Sequence, residues 1–155
     1  MQLSRKQQGG LLAGGGLVGA AVVSWLTSDS EPKHDELLEQ TYNAVDDATD
    51  DSVAIGAEHG VGDGEGTRDI DGINGWPDMA VTGFGVSSLL VEVESSDALA
   101  EKPEKVIEQV DGFQKNGYRR VIVVHSSLVD AAEELVDEIN GKVHVKTPKR
   151  VIDLL

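Results

Sequence analysis

From His34 onward, apolar and polar positions alternate first with the period of a helix and then with that of strands. In "HDELLEQTYNAVDDA", Leu37, Leu38, Tyr42 and Val45 recur at helical spacing behind Asp35 and Glu36, acids that suit the positive end of a helix. Two short apolar runs follow, in "DSVAIGAEHGVG" and "GWPDMAVTG", joined by the Gly- and Asp-rich "DGEGTRDIDGING", which reads as a long hairpin loop. "SSLLVEVES" is a third strand. "DALAEKPEKVIEQVDGFQKNGY" predicts one helix, with Asp97 as N-cap, Val106, Val110 and Phe113 on its buried face, and Gly117 at its end. "RRVIVVHSS" is an apolar, β-branched strand of the buried type, and "LVDAAEELVDEING" a helix closed by Asn140-Gly141. "KVHVKTPKRVIDLL" supplies a last strand and a short tail. The predicted order is α-β-β-β-α-β-α-β, an α/β domain over residues 34–155 with a small mixed sheet whose second half is parallel because helices cross over between its strands.

Ahead of the domain this periodicity stops. Residues 1–8 form a basic flank, and residues 9–26, "GGLLAGGGLVGAAVVSWL", hold no charge. As one helix the run spans roughly 27 Å, close to the thickness of a bilayer core. It is expected to be a single transmembrane helix followed by a polar linker, residues 27–33. Gly10 and Gly14, and Gly15 and Gly19, make two small-xxx-small spacings that let two such helices approach, so a homodimer through this glycine face is a candidate assembly. Trp25 stands where an interfacial aromatic belongs. A cleaved export signal and a soluble core helix are the competing readings, although no Ala-x-Ala site follows the run. Arg5 and Lys6 before the span and acids after it predict a cytoplasmic N-terminus with the domain on the other side.

Charge changes the picture of the environment. Asp and Glu number 28 against 13 Lys and Arg, a formal net charge of −15, and the acids are spread along the chain instead of forming a tail. That balance resembles the proteomes of salt-loving archaea; with the apolar run of residues 9–26 the expected location is a cell membrane of such an organism or the internal membrane of its virus. Molar salt shortens the Debye length to about 3 Å and screens the self-repulsion, so partial unfolding at low salt is expected. With no cysteine, disulfides, thiolate metal sites and thiol-linked lipids are excluded, and 4% aromatic residues leave an aliphatic core.

Candidate chemistry lies in the acids of the meander. Pro77-Asp78 opens the second strand, and Glu92-Val93-Glu94 closes the third with both glutamates on one face. The element order with these residues resembles the PD-(D/E)xK, or restriction-endonuclease-like, nuclease superfamily, over roughly residues 34–147. The resemblance implies that Asp78 and Glu92 bind Mg²⁺, a cation that takes oxygen ligands, and that Glu39 or Glu36 on the first helix adds a further acid. Glu94 stands where the superfamily carries its catalytic Lys, as a ligand or a base that orients water. Two functions follow. One is a membrane-anchored structural or interaction protein on a nuclease-like scaffold, with no cofactor. The other is a Mg²⁺-dependent nuclease acting on DNA through Asp78, Glu92, Glu94 and Glu39. A plainer account of the acids is that they solvate a strand end.

Other features point to structure. His34, His59, His125 and His144 form no His-x-x-His pair, so no zinc site is expected, and His125 reads as a turn residue. Gln114-x-x-x-Tyr118 weakly resembles the Gln-x-x-x-Tyr of one nuclease branch. "DGEGTRDIDG" lacks the spacing of a Ca²⁺ loop. Lys115, Arg119, Arg120, Lys146, Lys149 and Arg150, if they share a face, form a phosphate-binding strip.

Overall fold

The computed structural model describes residues 31–62, 66–68 and 70–155; the segment 9–26, with Gly10, Gly14, Gly15 and Gly19, lies outside them. Among the described residues no helix is long and apolar enough to cross a membrane. Helix α1, His34–Ala48, buries Leu37, Leu38, Thr41 and Val45. These lie on one side of a 3.6-residue turn, and the Thr41 hydroxyl satisfies itself within the buried stripe by donating to the Leu37 carbonyl at 2.7 Å.

Strands β1 (Val53–Ala57), β2 (Met79–Gly83) and β3 (Ser88–Val93) form the antiparallel meander, with Ile55 opposite Val81 and Ala80 opposite Leu90. β4 (Tyr118–Val123) runs parallel to β3, and β5 (Val143–Lys146) parallel to β4. The mixed sheet has five strands in sequence order, and its parallel half is the half anticipated from the crossovers.

The crossover between β3 and β4 differs from expectation. It is two helices, α2 (Ser96–Glu101) and α3 (Pro103–Gly112), because Pro103 disfavours the helical conformation at the residue before it. Lys102 accordingly sits at φ −140° and ψ 49°, and Pro103 starts the next helix, where its missing N–H is harmless. The N-cap position falls on Ser95 instead of Asp97, and α3 ends at Gly112 instead of Gly117. A Cβ at Gly112 would stand 2.8 Å from the Asn74 carbonyl oxygen, so only glycine lets the long β1–β2 loop dock there. After β4 a 3-10 turn, Ser126–Leu128, precedes α4 (Val129–Val136). The tail is a 3-10 helix, Pro148–Leu154, that buries Val151 and Leu154.

Alternation along the strands divides the core in two. Met79, Val81, Leu89, Val91, Val93, Val121 and Val123 face α1 and the C-terminal 3-10 helix, joining Leu37, Leu38, Val45, Val151 and Leu154. Ile122 and Val124 face Leu99, Val106 and Val110 of the crossover and Leu128, Ala132 and Leu135 around α4. The sheet is therefore sandwiched between α1 and the C-terminal 3-10 helix on one side and α2 to α4 on the other, and side chains from both layers reach the carboxyl end of β3.

Candidate metal centre

Asp78 immediately precedes β2, and its Oδ2 accepts a hydrogen bond from the Val93 amide of β3 at 2.8 Å. The loop ahead of it is held from behind. The Thr67 hydroxyl donates to the Pro77 carbonyl, and the Thr67 amide donates to Glu58 Oε1 at 2.8 Å. Glu92 projects toward the crossover, where the Gln109 amide of α3 donates to its Oε1. Its other oxygen, Oε2, is buried and makes no hydrogen bond of ordinary geometry among the described residues, although the Asp78 backbone amide is near enough to the carboxyl to work against the rise in its pKa. The amide of Glu94 continues the ladder beyond β3 by donating to the Val123 carbonyl at 2.9 Å.

Asp78, Glu92 and Glu94 are 6%, 4% and 6% exposed, which overturns the reading of these acids as solvated surface. Three carboxyls taken out of water together cannot all stay ionised without compensation. Burial, and then the charges of Asp78 and Glu94, push the Glu92 carboxyl far above the carboxylate range. Burial and Asp78 raise Glu94 to about 7. Lys105 acts against both shifts, and His34 also against that of Glu94. Lys105 was not singled out in the sequence, yet it lines a groove of about 350 Å³ together with His34, Glu92, Glu94, Lys102 and Gln109. The i, i+4 spacing of Lys105 and Gln109 on α3 is the signal that places both on one face.

Helix α1 contributes a different residue from the one anticipated. Glu39 is exposed and lines a separate groove with Asp35, Glu36 and His59, while Glu36 accepts from the Lys33 amide at 3.2 Å. His34, the first residue of α1, reaches the acids instead, with Nε2 3.0 Å from Asp78 Oδ2. That contact, followed by the opposing cost of burial, raises the imidazole to about 9. His59, beyond β1, places Nε2 3.5 Å from Asp78 Oδ1. The histidines that sequence spacing kept apart are thus brought together, their rings edge to face with centroids 4.9 Å apart. His34, His59 and Asp78 each offer an atom within 4.8 Å of the others, a group able to hold a metal ion.

The other sequence candidates have local roles. His125 accepts from the Ser127 amide at 3.3 Å and caps the 3-10 turn, as a turn histidine does. Gln114 lies beyond the end of α3, so the glutamine that meets the acids is Gln109. The basic strip is not assembled from free cations. Arg120 is 4% exposed and donates to the Val110 carbonyl at 3.0 Å and to that of Asn140; Lys115 donates to the Asp71 carbonyl, and Arg150 pairs with Asp153 at 2.8 Å. Comparison with family models, with curated proteins and with solved structures gives no match.

Proposed function

We propose that the chain is a divalent-metal-dependent nuclease on a scaffold similar to that of the PD-(D/E)xK superfamily, with Asp78 and Glu92 as the Mg²⁺ ligands. The observation that carries this reading is Glu92. A buried carboxylate oxygen without a donor costs about 1–3 kcal/mol, and Oε2 of Glu92 is in that position while Gln109 occupies Oε1. Asp78 and Glu92 would be the residues to hold a hard cation, which would give Oε2 a partner and offset the burial and the repulsion from Asp78 and Glu94 that raise Glu92. An ion held by them would polarise a phosphodiester and lower the pKa of attacking water.

The remaining steps fall to the chain itself. Glu94, near 7, can take the proton of the attacking water at neutral pH as an oxygen–phosphorus bond forms, the bond to the departing sugar oxygen breaks, and that oxygen takes a proton from solvent. Lys105 brings to the same groove the positive charge absent from position 94, where it can hold a phosphate oxygen. Gln109 fixes the orientation of Glu92. This reading requires the domain to share a compartment with DNA, the reverse of the topology expected from Arg5 and Lys6.

The experiment is incubation of the full chain, in molar KCl with Mg²⁺ or Mn²⁺, with single-stranded, duplex and branched DNA. Cleavage that needs the metal and falls by roughly 100-fold or more in Asp78→Ala and Glu92→Gln is the expected outcome. No metal-dependent cleavage of any substrate overturns the reading. The membrane-anchored interaction protein would then lead. Phe84, 91% exposed between β2 and β3, and Trp76, 58% exposed, give it some apolar surface, but single exposed apolar side chains are ordinary.

A further inference from the structure

Both imidazoles at this end of the sheet stand between the same two carboxylates. His34 Nε2 and His59 Nε2 face the two oxygens of Asp78 at 3.0 and 3.5 Å, while His34 Nδ1 and His59 Nδ1 face Asp35 Oδ1 at 3.1 and 3.9 Å. One carboxylate thus gathers the Nε2 atoms, and the other lies beside the opposite edge of each ring. We propose that His34, His59 and Asp78 form a binding site for a transition-metal ion of the Zn²⁺ or Co²⁺ type, distinct from the Mg²⁺ position proposed above for Asp78 and Glu92, with Asp35 as the outer partner of His34 and facing His59.

Donor chemistry selects the ion. Imidazole nitrogen suits Zn²⁺, Ni²⁺ and their neighbour Co²⁺, whereas Mg²⁺ and Mn²⁺ favour oxygen ligands and Mg²⁺ keeps its waters. Ligands bound at about 2.0–2.1 Å in a tetrahedron lie roughly 3.3 Å apart; each Nε2 stands at about that spacing from one Asp78 oxygen, and one atom from each of the three side chains lies within 4.8 Å of the others. A metal-bound histidine commonly gives its other ring N–H to a carboxylate, which fixes the tautomer. Asp35 is placed for that role at His34, 3.1 Å from Nδ1, and stands 3.9 Å from His59 Nδ1, within ion-pair but not hydrogen-bond distance.

The backbone supplies an independent sign. His59 has φ 57° and is the one non-glycine residue with positive φ among the described residues. Such a conformation costs energy and clusters where side chains are held for a purpose. The His34–Asp78 hydrogen bond to Oδ2 accounts for His34, but not for a half-exposed His59 held in that geometry toward the other oxygen, Oδ1. The histidine side chains are 31% and 49% exposed, so solvent or substrate can complete the coordination, as in metal sites that keep an open position.

This site needs no cleavage to be tested. The full chain in molar KCl is titrated with Zn²⁺ by calorimetry and with Co²⁺ by visible absorption, beside His34→Gln/His59→Asn, Asp35→Asn and Glu92→Gln. Asn tolerates the left-handed backbone at position 59, and Asp35 is exposed, so these variants keep the fold; circular dichroism checks this. One Zn²⁺ per chain, weakened about 100-fold or more in the double histidine variant and about 10–100-fold in Asp35→Asn, with Glu92→Gln within a few-fold of the parent, is the expected result. Zn²⁺ held no more tightly than Mg²⁺, or an unchanged affinity without the histidines, overturns the proposal. Histidine-dependent Zn²⁺ binding in a chain that cleaves nothing sinks the nuclease reading and keeps this site. Mg²⁺-dependent cleavage with Zn²⁺ affinity indifferent to the histidines does the reverse.

Discussion

At the residue scale the consequence of three buried carboxyls and a captive imidazole is a dependence of stability on pH. Glu94 moves from 4.5 to about 7 and His34 from 6.5 to about 9, and Glu92 moves in the same direction and further than Glu94. Each group binds its proton more tightly folded than unfolded, so each contributes stability that is complete below the unfolded value and lost as pH rises through the folded one. The windows run from 4.5 to about 7 for Glu94 and from 6.5 to about 9 for His34, with Glu92 continuing past neutrality. The metal-free chain in molar KCl should therefore melt at a higher temperature near pH 5 than near pH 9, the reverse of a protein whose carboxylates are stabilised as anions. Glu92→Gln, which keeps the shape without the charge, should flatten the slope and raise the melting temperature at alkaline pH. Thermal scans with a chelator check this, and a melting temperature that climbs steadily toward alkaline pH would refute it.

At the scale of elements, the site depends on α1 staying seated, because its first residue carries His34 while its later turns carry the apolar face. Leu38 is fully buried against the sheet. Leu38→Ala is expected to cost roughly 2–5 kcal/mol by removing transfer energy and leaving a cavity, read as a lower urea midpoint in molar KCl. The five strands and their order were legible because alternating or continuous apolar runs bounded by Gly, Asp and Pro leave few other assignments. Pro103 was equally visible, but the run from Asp97 to Gly117 keeps helical spacing on both sides of it, and periodicity masked the break. The meeting of Asp78 with Glu92 and Glu94 was legible once the meander was recognised, since pairing β2 with β3 sets the start of one beside the end of the other. His34 with His59 was not. They are separated by all of β1 and nearly all of α1; the pairing of β1 with β2 sets His59 beside Asp78, and the docking of α1 on the sheet adds His34. Glu39 failed for a related reason: a first-helix acid was expected from the middle of α1, but the stripe that buries Leu38 and Val45 leaves Glu39 on the exposed side.

For the whole molecule the deciding quantity is the net charge of −15. Self-repulsion among exposed carboxylates is screened within about 3 Å in molar salt and reaches roughly 10 Å at 0.1 M, so the fold should loosen as KCl is withdrawn. Divalent ions could restore it in two ways that differ in what they require. General screening by the surface acts on every variant alike, whereas an ion bound only by the folded state adds RT ln(1 + [L]/Kd), about 2.7 kcal/mol at one hundred times Kd. At about 0.1 M KCl, Mn²⁺ should therefore restore the far-ultraviolet dichroism of the parent chain at concentrations that leave Asp78→Ala largely unfolded. Asp78 is the chosen probe because it faces both Glu92 and the two histidines, so its loss removes either mode of capture while changing the net charge by a single unit among 28 acids. Equal rescue of both chains would mean that the divalent ion acts on the acidic surface, and that the buried carboxylates contribute nothing specific to its effect.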